Sequence, residues 1–396
     1  MIETKKGFGH MATVYFTDMH TRPGRSLLDK INDLLQRIKV ERRVKKNDLT
    51  AVKVHFGEPG NSAFVRPLFL RVVVDHLKAL GCRPFLTDTN TLYRGARSNA
   101  VAHLETAVRH GFDQSAVGCP VIIADGLRGG SGVKISVPGE LLREVSIAPG
   151  IAEADSLVVV SHFKGHDLAG FGGALKNMGM GCAAREGKLV QHSTLRPLIG
   201  AAQCIGCGAC VNFCPAGAIR LTGKTAGIDV LRLVQSPAAE GRLNAVIEDR
   251  KCIGCCECIH ICPEGAVKVR WDEEPGHFQK KMAEHAAGVL QGKAEKSVFL
   301  NFLMQISPAC DCWPNNDAPI VQDIGVLASC DPVAIDAVSV DLVNAQDALP
   351  GTAVKHRTGS GQDLFRALYP RVDWNVQLDH GVRMGLGSRE YKLVKV

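Results

Sequence analysis

The run C-x2-C-x2-C-x3-C-P occurs twice in this chain, from Cys204 to Pro215 and from Cys252 to Pro263. Laid together without gaps, Cys204–Leu221 (CIGCGACVNFCPAGAIRL) and Cys252–Val269 (CIGCCECIHICPEGAVKV) agree at nine of eighteen positions. Thiolates are soft ligands that suit iron–sulfur clusters or zinc. Two such runs in register point to two half-sites that pair into one small unit. In this pattern three closely spaced cysteines wrap one four-iron cluster, and the fourth, ahead of proline, ligates the other. The crossing assigns Cys204, Cys207, Cys210 and Cys262 to one [4Fe–4S] cluster and Cys252, Cys255, Cys258 and Cys214 to a second. Gly206 and Gly254 relieve crowding where backbone amides approach the sulfurs. Cys256, between two ligands, reads as a spare thiol.

Fifteen cysteines is an odd number and argues against a closed disulfide framework. The opening residues carry two lysines and no apolar stretch of the kind a secretory leader needs, so a reducing, cytoplasmic setting is expected. They fit no element, and an extension before Met11 is expected. No apolar run approaches the length of a membrane span. The formal charge of +7 would matter for nucleic acid only if clustered, and Glu41–Lys46 (ERRVKK) is the one dense patch; it reads as a solvated turn.

Outside the cysteine region the pattern alternates between strand and helix. Ala12–Thr17, Leu49–Phe56, Pro84–Thr87, Val121–Ala124, Ser156–Ser161 and Ser297–Ile306 read as strands. Helices are expected at Leu27–Ile38 behind an N-cap at Ser26, and at Val65–Leu80, Asn99–His110, Glu140–Val145, Phe278–Leu290 and Asp331–Val343. This alternation predicts an α/β fold: a discontinuous, mostly parallel sheet domain with helices on both faces. Residues 12–200 and 271–396 would form it, and residues 201–270 would be an inserted ferredoxin-like α+β module holding both clusters. Extra strands are expected at Ile228–Val234 and Leu243–Ile247, between the two motifs.

Ligands of open parallel sheets bind beyond the carboxyl ends of the strands. Three polar groups follow three predicted strands: Lys53-x-His55-x-Gly57-Glu58, Thr87-Asp88-Thr89-Asn90 with Tyr93 and Arg94, and His162-x-Lys164-Gly165-His166. A further run, Gly172-Gly173-Ala174-Leu175-Lys176-Asn177, opens a helix suited to holding an anion on its amides. Lys53, His55, His162, Lys164 and Lys176 are therefore the candidate catalytic residues of one cleft. The lysines and Arg94 point to an anionic small-molecule substrate, and a histidine could supply protons. Each histidine alone reads as an ordinary sheet-edge residue; the convergence carries the expectation. Cys310-Asp311-Cys312, with Cys330 and Cys182 as further candidates, offers a second metal or redox position, against the plainer reading of buried reduced thiols. No G-x-G-x-x-G follows a strand, so a nicotinamide is not expected, while a flavin stays open.

The chain resembles the domain-of-unknown-function family 362, in the form that carries a ferredoxin-type insertion. The residues that carry the likeness are Lys53-x-His55-x-Gly57, His162-x-Lys164, Ala174-Leu175-Lys176-Asn177-x-Gly179, Cys310-Asp311-Cys312, Asp323-Ile324-Gly325 and Ser329-x-Asp331-Pro332-Val333-Ala334-Ile335-Asp336. The resemblance implies a cytoplasmic iron–sulfur protein of anaerobic metabolism and assigns no activity. His166-x-x-x-Gly170-Phe171-Gly172-Gly173-Ala174-x-Lys176 is also similar, more distantly, to the nickel-dependent lactate racemase family.

Three functions fit these observations. An oxidoreductase would pass single electrons from the clusters to a substrate or cofactor in the His/Lys cleft, drawing on a soluble redox protein. A non-catalytic carrier or adaptor would dock a partner enzyme. A metal- or cofactor-handling protein would use Cys310 and Cys312. The oligomeric state is not legible.

Overall fold

The computed structural model describes residues 11–193, 196–222, 243–354 and 362–396. The expected N-terminal extension and the Ile228–Val234 strand lie outside the described residues.

Eight strands form the main sheet. In spatial order they are Tyr391–Lys395, Ala12–Asp18, Gly325–Ser329, Ser297–Leu303, Ser156–His162, Leu49–Lys53, Arg83–Asp88 and Val121–Ile123. The pairings make every strand run one way except Gly325–Ser329, which is antiparallel to both neighbours. The central strands are apolar without alternation because both faces are covered. Leu157 and Val159 face one core with Ala51 and Phe299. Val158 and Val160 face the other with Val52 and Leu300.

Helices Pro275–Leu290, Pro332–Asn344, Ala174–Gly179 and Asn375–Arg383 contribute to the first core. Helices Leu27–Arg37, Pro67–Ala79 and Ala100–Arg109 contribute to the second. Several begin as the sequence predicts. Ser26 and Asp29 form a reciprocal capping box, and Asn99 and Asp331 accept from amides of the first turn.

One expected helix is absent. Glu140–Val145 is not helical; Glu144–Ile147 instead pairs antiparallel with Val133–Ser136. The Glu284 carboxylate accepts from the amides of Glu140, Leu141 and Leu142 at 2.7–2.9 Å, so these groups are satisfied without a helix.

The paired cysteine runs lie in a small unit with its own core. Ile219–Thr222 pairs antiparallel with Asn244–Ile247, and Leu198–Ile199 pairs with Val267–Lys268. Short helices Ala209–Asn212 and Glu257–Ile261 occupy equivalent places in the two repeats.

Candidate functional site

Parallel pairing brings the carboxyl ends of the central strands together. Lys53 is in register with Thr87 and Val159, and His162 with Phe302. Lys53 therefore lies beside Asp88, and its ammonium is 2.9 Å from that carboxylate and 2.7 Å from Asn177 Oδ1. Lys53 is wholly enclosed. Asp88 also faces Arg97 at 3.4 Å and His103 at 3.7 Å. Burial, the largest influence on Asp88, would raise its pKa, but Lys53 and the two histidines nearby hold it well below the ordinary value. Arg97 continues the network, donating to Glu58 at 2.8 Å and to the Tyr93 hydroxyl at 2.7 Å.

Asp311 is a second hub. Residues Cys310 to Trp313 form a turn closed by the Trp313 amide on the Cys310 carbonyl at 3.1 Å. The turn aims Asp311 inward, 2.8 Å from His162 Nδ1 and 2.9 Å from Lys164 Nζ. Burial would raise the Asp311 pKa, but His162 and Lys164 overcome it and hold it well below the usual range. His162 Nε2 lies 2.9 Å from the Met304 carbonyl, so both ring nitrogens are occupied. The flanking chain is clamped where glycine alone fits. A Cβ on Gly60, at φ +96°, would lie 2.1 Å from the Pro314 carbonyl oxygen, and one on Gly165 would lie 2.0 Å from that of Pro308.

The turn also sets two thiols side by side. The Cys310 sulfur accepts from Lys176 Nζ at 3.3 Å. The neighbouring Cys312 thiol, against burial and together with Lys176 and Lys164, holds the Cys310 pKa well below that of a free thiol. Cys310 and burial push Cys312 well above it.

Of these groups His55, Tyr93, Lys176 and Cys312 are partly exposed and form the open side of the site. His55 Nδ1 accepts from the Gly57 amide at 2.9 Å, which leaves the ring proton on Nε2. Burial and the charge of Arg97 depress its pKa well below the ordinary histidine value, so it is neutral near pH 7. The expected proton supply from His55 or His162 therefore has no open, charged imidazole behind it.

Other expectations are relocated. The amides of Ala174 and Leu175 hold no external anion; the Asp336 carboxylate accepts from both, at 2.7 and 2.9 Å. Lys164 and Lys176 each face an anion of the chain itself. Arg94 turns away from the cleft and donates to the Cys262 carbonyl at 3.0 Å. Cys330 follows the one antiparallel strand, so it sits at the opposite end of the sheet from Cys310, near Arg43 and Glu295. Cys182 is buried beside Lys53 and Asp88, and burial pushes its pKa up to about 12. His166 Nδ1 accepts from the Leu168 and Ala169 amides, and its ring stacks on Phe278. Sequence reasoning missed Arg97 and Lys188. The latter is buried and donates to Thr89 Oγ1 at 2.6 Å. Neither belongs to a motif, and each reaches a residue distant in sequence, Arg97 to Glu58 and Lys188 to Thr89.

In the cysteine unit, Cys204, Cys207, Cys210 and Cys262 line one cavity, together with Gly206, Ala245 and Ala266. This is the crossed set that the spacing predicts. Cys255 feels Cys214 and Cys252, and Cys258 feels Cys255, Cys252 and Cys214 of its own set together with Cys210 of the other. Amides of Ala245, Ala266 and Ala218 donate to the sulfurs of Cys204, Cys262 and Cys214 at 3.2–3.4 Å. Four thiols around a cavity with amides aimed at sulfur fit a four-iron cluster. Among the described residues no three His, Cys, Asp or Glu side chains converge tightly enough for a single ion. Cys256 occupies the left-handed position that Gly208 holds in the first repeat, at φ 60° against 74°. Its thiol donates to the Gly254 carbonyl at 3.3 Å.

One loop joins the two regions. Leu92 is buried in the core of the cysteine unit, and Arg94 bonds to Cys262. Between them Tyr93 points the other way, its hydroxyl 2.9 Å from the Cys312 carbonyl and 3.0 Å from Glu58. Arg185 adds a tie, to Glu257 at 3.2 Å.

The fold and this geometry define an α/β protein whose mostly parallel sheet carries a polar, thiol-bearing site at its carboxyl edge. The chain belongs to the family described as Domain of unknown function (DUF362), whose profile matches residues 50–341. No curated protein matches it. Among solved structures it is similar to the lactate racemase apoprotein from Thermoanaerobacterium thermosaccharolyticum, with 17% identity and a TM-score of 0.30. That alignment covers 46% of this chain and 41% of the other, well under two thirds of its length. Among the described residues no helix is long and apolar enough to cross a membrane.

Proposed function

We propose that this protein is an iron–sulfur oxidoreductase, with Cys204, Cys207, Cys210 and Cys262 holding one [4Fe–4S] cluster and Cys252, Cys255, Cys258 and Cys214 the other. Such clusters supply electrons singly, at a potential tuned by hydrogen bonds to sulfur and by burial. The observation that carries the reading is the Tyr93–Arg94 loop, which touches Cys262 on one side and Cys312 on the other. A short link of this kind, two adjacent residues hydrogen-bonded to a cluster ligand and to the sheet-edge site, supports electron delivery inside one chain. A soluble redox protein would load the unit. Lys176, partly exposed beside Cys310, is the lysine on the open side that an anionic substrate would approach, and Asp311 fixes Lys164 and His162 in place.

A carrier or adaptor is the second reading. It is favoured by the internal pairing of Lys53, His162 and Arg97, which leaves few polar groups free to bind a substrate. Iron and acid-labile sulfide on anaerobically purified protein test the shared premise. About eight of each per chain are expected, and a chain with neither would remove both readings. Lys176→Met separates them: slower reoxidation of the dithionite-reduced protein by a small anionic acceptor favours the oxidoreductase, and unchanged reoxidation favours the carrier.

A further inference from the structure

We propose that Cys310 and Cys312 form a reversible dithiol/disulfide couple, a two-electron store at the open edge of the sheet. The inference deepens the oxidoreductase reading and rests on it for the source of electrons. Its first support is geometric. The two cysteines sit at the first and third positions of a closed turn, and Lys176 Nζ meets the Cys310 sulfur at 3.3 Å. Neighbours two apart on a turn lie within the Cα separation that disulfides accept.

The second support is chemical. A thiolate is the attacking species in disulfide exchange, and a nearby ammonium favours it. Lys176 donates to Cys310 at 3.3 Å, and the Lys164 ammonium also raises the positive potential there. Cys312 is a partly exposed residue whereas Cys310 is buried, so Cys312 is the member of the pair nearer the open side. The other cysteines away from the paired runs do not share this setting. Cys182 and Cys119 are buried, with pKa values pushed up to about 12 and about 11. Cys330 is at the far end of the sheet.

The third support is position. Tyr93 holds the Cys312 carbonyl, and the next residue holds Cys262. The couple therefore stands where one-electron delivery must become two-electron chemistry. The step balances simply. In the oxidised form the Cys310–Cys312 S–S bond breaks as two electrons enter, drawn one at a time from a donor of the iron–sulfur class. Cys310 emerges as the thiolate beside Lys176, and Cys312 takes one proton from solvent. Reoxidation by a two-electron acceptor reverses both events.

The test is a thiol redox titration that needs no turnover. Anaerobic full-length protein is equilibrated in dithiothreitol buffers of graded potential, acid-quenched and alkylated. The peptide containing Cys310 and Cys312 is then read by mass spectrometry. The expected result is a single two-electron transition, in which the dithiol-to-disulfide ratio changes tenfold for every ~30 mV. Cys182 should stay alkylatable throughout. Lys176→Met should shift the midpoint toward more negative potential, by about tenfold in that ratio, since the thiolate loses its partner. Lys176→Arg should restore it. A wild-type pair that remains alkylatable at every potential overturns the proposal, as does a stoichiometric metal lost on Cys312→Ser. If the pair titrates in protein devoid of iron, the couple stands and the cluster reading falls; clusters present with an inert pair give the converse.

Discussion

The Tyr93 hydroxyl lies 2.9 Å from the Cys312 carbonyl, across more than two hundred residues of sequence. It also meets Glu58 and accepts from Arg97, so one phenol ties three loops at the edge of the sheet. Burial pushes its pKa well above the usual tyrosine value, so it stays protonated. Tyr93→Phe leaves Arg97, Glu58 and the Cys312 carbonyl each short of a partner. A loss of about 1–3 kcal/mol in stability is expected, on the scale of one buried hydrogen-bonding group left unsatisfied. Chemical denaturation measures it. Alkylation of Cys312 in the folded protein should also quicken, while the iron content stays that of the wild type.

The crossing of the two repeats gives a sharper contrast. Cys262 lies 58 positions after Cys204 in the chain yet shares its cavity. Cys262→Ser should therefore disturb the site of Cys204, Cys207 and Cys210, leaving about four irons or fewer per chain instead of about eight. Cys256→Gly should keep the full content and match or exceed wild-type thermal stability. It places glycine at a left-handed position where other L-residues cost roughly 1–2 kcal/mol. Iron loss in Cys256→Gly equal to that in Cys262→Ser would make Cys256 a ligand.

Lys53 and Asp88 are an enclosed ion pair on neighbouring strands. Removing one partner of such a pair leaves a buried charge and typically costs about 3–5 kcal/mol. Lys53→Met should fall toward the low end, since Arg97 and His103 still face Asp88. The double variant Lys53→Met with Asp88→Asn should lose less than the sum of the singles. Strict additivity in a denaturation cycle would mean that the two charges do not act together.

What is legible in the sequence is local. Ser26 with Asp29, and Asn99 at its helix start, announce themselves through neighbours three residues away. The strand ends can be found because apolar runs stop at Lys53, Asp88 and His162. The cysteine crossing is legible because it repeats. The remainder depends on side chains that arrive from far along the chain. Glu284 binds three amides of the 140–142 segment and removes the need for a helix there. Cys330 follows Cys310 and Cys312 closely in sequence, yet the reversed strand carries it to the far end of the sheet. Asp311 reads in the sequence as a spacer between two cysteines, and it is the residue that His162 and Lys164 both face.

Asp336 shows the same effect at a place where it can be titrated. Its carboxylate accepts from the Ala174 and Leu175 amides and from Asn301, filling the position where the sequence suggests an external anion. It is fully buried, and burial outweighs these hydrogen bonds, raising its pKa from 3.8 to about 6. A carboxyl whose pKa is raised on folding binds its proton more tightly in the folded state. Its contribution to stability is therefore full below the unfolded value near 3.8 and is lost as pH rises through about 6. A rise of that size corresponds to about 3 kcal/mol across the window. Asp336→Asn cannot ionise, so the stability difference between wild type and variant should move against the wild type from pH 4 to pH 6.5 and then level off. Denaturant midpoints across that range measure the slope. A difference that does not vary with pH would mean that Asp336 keeps an ordinary carboxylate pKa and that its three donors fully compensate for its burial.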